Sequence, residues 1–409
     1  MKGFFSTSEI RKPKKTITSP QCGRCGLHKE CRSPKMEVGG KKEIPIYWFA
    51  EAPGALEDKR GTQLCGKAGK YLRRMVERIA DIDIEDCFKD NAVRCRPPEN
   101  RDPKDHEIEC CRPNAIKSIK EAQPHIIIPM GTYANLSLLK HTFKKDIGTV
   151  SKWQGATIPD YTFNAWICPT FHPSYIMRET TPASAKVIME RDIARAARLL
   201  EVPLPEWRDD EKCVEILKHP DEIRAYIKEL IRSKHTYPFA AFDYETTGLK
   251  PHRKGHDIKC VSICTEAYRS VAFPMLDEIR PVFKKFLRDP DIWKVAQNLK
   301  FEEAWSRVIL GQEVAGWLFD TMVGSHILDH RENITSLKHQ VYRRYGVADY
   351  DSHLNSLLKG TKPGANAFNQ IEKIAIRDLL IYCGLDALYE YRLALDEMEE
   401  LRPKWIERR

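Results

Sequence analysis

The sequence has no apolar run of the roughly 18 residues that a membrane-spanning helix requires. Its N-terminus is basic but contains no apolar stretch of the kind found in a secretory signal. It also lacks internal repeats and low-complexity tracts, which argues against a repeat architecture and against global disorder. We therefore expect neither an integral membrane protein nor a secreted protein.

The sequence also has only a small excess of positive charge. The 409 residues include 67 Lys and Arg and 58 Asp and Glu, so the net charge is +9. A surplus of this size is compatible with a polyanionic partner such as nucleic acid but does not identify one. Hydrophobic residues make up 42% of the chain. That is enough for the cores of two or three domains of about 150 residues each.

A disulfide framework is disfavoured, because the 13 cysteines are odd in number and crowd into the first part of the chain. Cys22 and Cys25 form a CxxC pair in a polar stretch, and Cys95 is followed by Cys110 and Cys111. In an intracellular protein such clusters indicate metal ligands. Four thiolates fit either an iron–sulfur cluster or a structural zinc ion, and the spacing leaves both open.

Short apolar strands alternate with amphipathic helices in the first half of the chain. This pattern predicts an α/β domain with a parallel sheet and with its chemistry at the carboxyl ends of the strands. The predicted strands cover residues 44–50, 125–131 and 165–169, and the predicted helices cover 66–79, 132–139 and 183–201.

Two prolines and a charge cluster at 202–211 interrupt this pattern, and we place the domain boundary there. A helix is predicted at 220–233, then strands at 239–245 and 258–265 that form a hairpin, and then mostly helical sequence. The expected organisation is a flexible basic arm at 1–20, a first domain at 21–204, a linker at 205–212 and a second domain at 213–409.

Five ordered motifs give the first half a family likeness; they lie at residues 50–58, 61–69, 91–98, 100–103 and 172–174. They resemble the family 4 uracil-DNA glycosylases, over about residues 22–200. The resemblance implies a three-layer α/β/α domain with a parallel sheet. It also implies a [4Fe–4S] cluster, with zinc as the alternative, whose ligands fall on Cys22, Cys25, Cys95 and Cys111.

Uracil excision needs a flipped base held by its Watson–Crick edge, a donor near uracil O2, and an acid near the sugar or the attacking water. By resemblance, Asn91 reads the uracil edge and His172 lies by O2. The acids of the first motif map to Glu51, Glu57 and Asp58, with Glu51 and Glu57 as catalytic candidates. The implied base-binding residues are Ala52, Leu64, Asn91 and His172.

Leu64 departs from the family, which usually has Phe at this position to stack on the flipped base. Stacking on an aromatic ring is worth about 1–3 kcal/mol per base, so a leucine predicts weaker or absent uracil excision. The first domain is therefore expected either to excise uracil or to be a catalytically inactive module that binds DNA or docks a polymerase.

In the second half, Asp243 and Glu245 stand two residues apart on a predicted strand, so both carboxylates point to one face. Such a pair repels unless a cation lies between, which indicates a divalent metal. Further motifs follow at 295–302 and 382–387. Together they resemble the 3′–5′ exonuclease domain of family A DNA polymerases, in the DEDDy group of ribonuclease H-like nucleases, which implies a mixed sheet.

That resemblance implies specific roles for residues of the second half. The acids that bind two Mg²⁺ or Mn²⁺ ions would be Asp243, Glu245, Glu302 and Asp386, with Asn298 and Lys300 in contact with DNA. Tyr382, one helical turn before Asp386, would orient the attacking water. Glu302 departs from the usual Asp but is still a hard oxygen ligand.

The combination resembles the front end of some bacteriophage replication polymerases, whose polymerase domain we do not expect within these 409 residues. We expect a hydrolase of DNA replication or repair in the cytoplasm of a bacterium or of a phage-infected host. Its partners would be single-stranded DNA or a duplex 3′ end, and a separate DNA polymerase. Phosphate contacts are expected from Lys12, Lys14, Lys15, Arg94, Arg96 and Arg101.

Overall fold

The protein is described from a computed structural model. It describes residues 23–360, 364 and 366–402. The predicted basic arm and Cys22 lie outside this range. The chain divides into two compact units. Unit 1 comprises residues 1–205 and 343–346, and unit 2 comprises residues 206–342 and 347–409. Among the helices within the described ranges, none is long and apolar enough to cross a membrane.

Unit 1 alternates strands and helices in the order that the apolar pattern predicts. Its strands are β1 Ile46–Ala50, β2 Phe88–Asn91, β3 Ile126–Pro129, β4 Ile158–Asp160 and β5 Ala165–Ile167. Its helices are α1 Ala55–Arg60, α2 Lys67–Ala80, α3 Asp105–Ala122, α4 Thr132–Thr142, α5 Val150–Trp153, α6 Pro173–Ile176 and α7 Ala183–Arg198.

The sheet of unit 1 has the order β2-β1-β3-β5-β4 and is parallel except for β4, which runs antiparallel to β5. Ile46 and Trp48 of β1 point to one face, where they pack with Leu72 of α2 and Ile193 of α7. Because side chains alternate along a strand, Tyr47 faces the other side, where its hydroxyl donates to Asp90 at 2.8 Å. The carboxyl ends of β1, β2 and β3 therefore lie at one edge of the sheet.

The first strand of unit 2 is β6, and its last regular element is a long helix. Its strands are β6 Val214–Ile216, β7 Ala240–Thr246, β8 Ile258–Glu266, β9 Arg269–Pro274, β10 Lys294–Ala296 and β11 Trp317–Asp320. The helices that follow or separate them are α8 Pro220–Arg232, α9 Arg280–Arg288, α10 Lys300–Trp305, α11 Thr321–Leu328, α12 Leu337–Tyr345, α13 Asn355–Leu358 and α14 Ile376–Leu401.

The second sheet is mixed, with the order β11-β10-β7-β8-β9-β6. The predicted hairpin is present as antiparallel β7 and β8. The sequence after it is mostly helical, as expected, but it also contains the strands β9, β10 and β11, which were not predicted. β10 has three residues and β11 has four, and strands this short carry too little alternation to separate them from loops.

The two faces of β7 contact different parts of unit 2. Phe242 and Tyr244 pack into the apolar core with Phe283 of α9. Asp243 lies on the opposite face, where the Cys383 thiol of α14 approaches its carboxylate at 3.7 Å. The hydrophobic side chains thus fix the strand, and the alternation turns the acids towards α14.

The segment predicted as a linker is partly built into unit 2. Asp210 accepts hydrogen bonds from the Tyr389 hydroxyl at 2.9 Å and from the Arg392 guanidinium at 2.8 and 2.9 Å. Both donors belong to α14. A carboxylate bound by an arginine fork has fixed geometry, so Asp210 braces this helix from the start of the unit.

Candidate active sites

Glu51 follows β1 at the edge of the first sheet where the strands end. Its carboxylate accepts a hydrogen bond from the Tyr133 amide at 3.1 Å, and its carbonyl accepts one from the Val93 amide at 3.0 Å. Burial raises the pKa of the Glu51 carboxyl to about 7. A buried acid that titrates near neutral pH can give or take a proton under working conditions, which is a property of catalytic acids.

Gly131, at the turn after β3, brings Glu51 and His172 together. Its φ is +88°, and a Cβ at this position would lie 2.4 Å from Glu51 Oε1 and 3.1 Å from His172 Cβ. Only a residue without a side chain allows this approach. Sequence reasoning predicted the turn but did not connect Gly131 with the site, because its neighbours come from distant segments.

His172 caps the short helix α6, and this fixes its protonation. Its Nδ1 accepts a hydrogen bond from the Ser174 amide at 3.2 Å, and an amide can only donate. Burial, and then the charge of Arg178, lower the pKa of His172 to about 4. The neutral ring therefore carries its proton on Nε2, as a donor to a uracil oxygen would require.

The carboxylates of Glu57 and Asp58 accept hydrogen bonds from backbone amides. Glu57 accepts a hydrogen bond from the Gly54 amide at 2.5 Å. Burial, which is only partly offset by the amides of Gly54, Gly66 and Leu64, raises the pKa of Glu57. Asp58 accepts from the amides of Arg32 and Ser33 at 3.1 and 2.8 Å. Both acids thus fix loops around the site, and Glu51 is the acid that lies beside His172.

The predicted base-binding residues have different surroundings. Asn91 ends β2 and is 3% exposed; its backbone N–H donates to the Asp90 carboxylate at 2.8 Å. Leu64 is also 3% exposed and packs in the same core as Trp48. Ala52 packs against the cysteine-containing cluster described next. The burial of Leu64 leaves little of its surface for stacking on a base.

Three of the four predicted cluster ligands come together in unit 1. Cys95 and Cys111 are buried with Leu27, and Cys25 packs against them; Cys22 lies outside the described residues. The Lys35 amide lies 3.3 Å from Cys95 Sγ, and burial raises the pKa of the Cys95 thiol to about 12. Soft sulfur donors are the kind that an iron–sulfur cluster or zinc takes. Among the described residues, however, these sulfur atoms are not gathered within the metal-ligand spacing that the acids of unit 2 show.

Cys31 was not among the predicted ligands, yet it lies in the same place. It packs against the cluster of Cys95 and Cys111. Burial raises the pKa of the Cys31 thiol, and the neighbouring Cys95 thiol partly offsets this rise. Asp58 fixes the loop after it through the amide of Arg32. Cys31 lies six residues after Cys25, a spacing that belongs to no motif recognised in the sequence. The only sequence signal for it is the high number of cysteines in this part of the chain.

Two of the arginines expected on phosphate are already paired. The Arg94 guanidinium binds the buried Asp90 carboxylate at 2.5 and 3.0 Å. The Arg101 guanidinium binds the buried Glu107 carboxylate at 2.6 and 2.9 Å. Removing one partner of such a pair leaves a buried charge. Both arginines therefore hold the fold, whatever else they contact.

The second half contains a set of convergent acids. Asp243 and Glu245 of β7 and Asp386 of α14 each offer a carboxylate oxygen, and these oxygens lie within 4.8 Å of one another. Burial and the negative charge of its neighbours raise the pKa of Asp243 and of Glu245 well above their usual ranges. A divalent cation relieves such repulsion, so this trio fits a hard metal ion.

Lys338 and Tyr350 complete the surroundings of this trio. The Lys338 ammonium forms a salt bridge with Asp386 and a hydrogen bond with the Tyr350 hydroxyl at 2.8 Å. The Tyr350 hydroxyl donates to Asp386 at 2.5 Å. Lys338 also lies 4.4 Å from the centre of the Tyr382 ring. Sequence reasoning missed both residues, because neither belongs to one of the recognised motifs.

Glu302, the fourth predicted acid, is buried on α10 but lies outside the trio. Burial and the charge of Asp243 raise the pKa of Glu302 well above its usual range. Asn298 has a φ of +65°, and its amide donates to Asp320 at 3.0 Å. Lys300 begins α10 and is exposed. Tyr382 is on α14, one turn before Asp386, as predicted.

Each half of the chain matches a known protein family. Residues 38–192 match the Uracil DNA glycosylase superfamily, and residues 214–401 match the 3′–5′ exonuclease family. A type-4 uracil-DNA glycosylase of Saccharolobus solfataricus is 35% identical over 172 residues, which cover 42% of this chain and 78% of that protein. The chain therefore belongs to the type-4 uracil-DNA glycosylase family through its first half, and its second half is a 3′–5′ exonuclease domain.

A phage DNA polymerase and one solved structure also match parts of this chain. A DNA polymerase of Bacillus phage SP01 is 25% identical over 414 residues, which cover 92% of this chain and 43% of that polymerase. The fusion of the two domains thus recurs in that relative, of whose length this chain spans less than half. The solved structure of Brucella melitensis NrnC is 19% identical, with a TM-score of 0.34, and covers 46% of this chain and 80% of that one.

Proposed function

We propose that unit 2 trims DNA from the 3′ end by two-metal hydrolysis and that unit 1 releases uracil from DNA. The observation that carries the proposal is the convergence of Asp243, Glu245 and Asp386 on one small volume. Three carboxylates gathered in this way, two of them buried and one half-buried, need a cation. Phosphodiester hydrolysis is the chemistry that a pair of divalent ions supports. The family of each unit supports the same reading.

In the exonuclease, two Mg²⁺ or Mn²⁺ ions would supply an activated water and charge neutralisation when bound. Asp243, Glu245, Asp386 and Glu302 would hold them. The Tyr382 hydroxyl, on the turn before Asp386, would position the attacking water. Asn298 and Lys300, at the start of α10, would contact the DNA strand.

In the glycosylase, the residues of unit 1 would act in two ways. Asn91 would read the uracil edge, and the Nε2 proton of His172 would stabilise the negative charge that develops on uracil O2. Glu51 would act at the sugar or its water, while Glu57 positions the loops that carry Gly54 and Leu64. Cys22, Cys25, Cys95 and Cys111 would hold the [4Fe–4S] cluster.

A paired assay tests both activities on one labelled oligonucleotide that contains uracil. We expect 3′ trimming with Mg²⁺ or Mn²⁺ and none in excess chelator. The double variant Asp243→Ala, Glu245→Ala should lose trimming and keep uracil release. Trimming that persists in this variant would contradict the two-metal proposal.

The variants Asn91→Ala and His172→Ala should lose uracil release and keep trimming. A second candidate for unit 1 is a catalytically inactive module that binds DNA or docks a polymerase. The burial of Leu64 favours it, because the flipped base then lacks a stacking partner. No uracil release at any enzyme concentration would establish this candidate.

The cluster and the partner have tests of their own. Protein purified without oxygen should show broad visible absorbance, and a colourless protein would favour zinc. A separate DNA polymerase is the protein partner that we propose, since the phage relative is itself a DNA polymerase. Co-purification from a host that expresses both proteins tests it.

A further inference from the structure

A fifth acid lies beside the exonuclease site. Glu390 follows Asp386 by one helical turn, just as Asp386 follows Tyr382, so the three side chains form a row along α14. Side chains of a helix lean towards its N-terminus. The longer Glu390 side chain therefore reaches back over the turn that carries Asp386. No motif identified in the sequence includes it.

Glu390 is buried but incompletely satisfied. It is 1% exposed, and so is Glu302. Within the described ranges, the Oε2 atom of each has no hydrogen-bond partner. A buried acceptor left unpaired is unfavourable, and more so when it is charged. A cation bound near this acidic centre would satisfy both oxygens.

Asp243 connects this pair with the trio. Besides burial, the charge of Asp243 is the main cause that raises the pKa of Glu302 and of Glu390, and it acts on Glu245 as well. The charge of Asp243 therefore acts on all three glutamates. Within the described residues, the group of acids at metal-ligand spacing is Asp243, Glu245 and Asp386, and it does not include Glu302 or Glu390.

The oxygens of the trio lie within 4.8 Å of one another, a spacing that suits a single small ion. Two ions in such a centre are about 3.5–4 Å apart. The second ion therefore needs oxygen ligands outside the trio, and the unpaired buried oxygens of Glu302 and Glu390 are candidates for them.

We propose that Glu390, together with Glu302, binds the second divalent cation of the exonuclease, with Asp243 shared between the two ions. This inference rests on the proposed two-metal function and adds a ligand to it. A purely structural role is the alternative, because the backbone amide of Gln297 lies close enough to the Glu390 carboxylate to offset part of the rise in its pKa. The experiment must separate the two.

Glu390→Gln makes that separation. It keeps the size of the side chain and an oxygen for the Gln297 amide but removes the charge that a cation needs. Mn²⁺ titration of the full chain, followed by the electron paramagnetic resonance of free Mn²⁺, should give two ions on the unaltered protein. In Glu390→Gln the weaker of the two should bind about 10-fold less tightly or be lost, as expected when one carboxylate leaves a site.

Asp378→Asn, an exposed change on the same helix, is the matched control and should bind as the unaltered chain does. A Glu390→Gln variant with two unchanged affinities would overturn the inference. Asp243→Asn should weaken both ions. If it weakened neither, the two-metal proposal itself would fail, so the two failures are distinct. Thermal unfolding of each metal-free variant checks that all of them are folded.

Discussion

The two units treat their acidic residues in opposite ways. In unit 1, Glu51, Glu57 and Asp58 each accept hydrogen bonds from backbone amides of separate loops. In unit 2, Asp243 and Asp386 face each other across a volume only a few ångströms wide. Amides fix each acid singly and need no added ion, whereas convergent acids repel until a cation joins them. Backbone amides therefore hold the acids of unit 1 in place without a ligand, whereas the acids of unit 2 need a cation to offset their repulsion.

Unit 2 already contains one cation at this place. The Lys338 ammonium pairs with Asp386 and lies over the rings of Tyr350 and Tyr382, at 4.0 and 4.4 Å. It partly neutralises the site before any metal arrives. A metal ion that takes Asp386 must therefore compete with Lys338, and this competition distinguishes the site from a simple acidic cluster.

The largest expected effect breaks the pre-organisation of unit 1. In Gly131→Ala the new Cβ would overlap Glu51 Oε1, 2.4 Å away, and push the carboxylate from its place. A displacement of about 1 Å near reacting groups costs about 100-fold in rate, so uracil release should fall by about that factor. Exonuclease activity should not change.

Gly311→Ala is the matched control for this variant. Gly311 also has a positive φ, +62°, but a Cβ there would meet nothing within 4 Å. It reports backbone strain without a clash. Normal uracil release by Gly131→Ala would show that the site tolerates movement of Glu51, and the contrast between the units would be lost.

Asp58→Ala tests the amide-bound acids for their part in stability. The amides of Arg32 and Ser33 lose their partner, which is expected to cost about 1–3 kcal/mol of unfolding free energy. Denaturant unfolding measures it, and visible absorbance reports on the neighbouring cysteines. Glu77→Ala, exposed on α2, is the control. Equal stability of the two variants would contradict the assignment of Asp58 as a loop anchor.

Lys338→Met sharpens the account of unit 2. With the competing ammonium gone, Mn²⁺ should bind about 10-fold more tightly, while the metal-free protein should unfold at a lower temperature because Asp386 has lost its partner. Calorimetric titration and thermal unfolding measure the two effects. Lys228→Met, exposed on α8, is the control. Weaker Mn²⁺ binding in Lys338→Met would show that the lysine assists the metal instead.

The smallest effect concerns pH. The pKa of Glu51 is raised by burial from 4.5 to about 7, so the folded state holds a proton that the unfolded state has released. Between these values each rise in pH removes stability. Glu51→Gln has no carboxyl to titrate and does not lose this stability. The melting temperature of Glu51→Gln minus that of the unaltered protein should therefore rise from pH 4.5 to about 7 and stay constant above it. Glu77→Gln controls for the loss of an exposed carboxyl, and a constant difference for Glu51→Gln would refute the shift.

The sequence predicted what local chemistry dictates. The spacing of Asp243 and Glu245 on a strand and of Tyr382 and Asp386 on a helix follows from backbone geometry alone. The order of the motifs in each half indicated the family of that half, and both family assignments are confirmed. The mixed second sheet, which that likeness implied, is confirmed as well.

Other features depend on residues that meet only in the folded chain. Gly131, Lys338 and Tyr350 reach their sites from segments without a motif, and no local pattern marks them. Leu64 was expected to face a base but packs in the core. The strands β10 and β11 were missed because three or four residues show no reliable period.

The brace that Asp210 provides to α14 decides how the two halves can be studied apart. Tyr389 and Arg392, which bind it, flank Glu390 and follow Asp386 within two helical turns. A fragment that starts at Val214 would cut away the anchor of the helix that bears the nuclease acids, whereas one that starts at Glu206 would keep it. The shortest fragment with an intact nuclease unit should therefore begin within residues 205–212, the segment that the sequence predicts to be a linker.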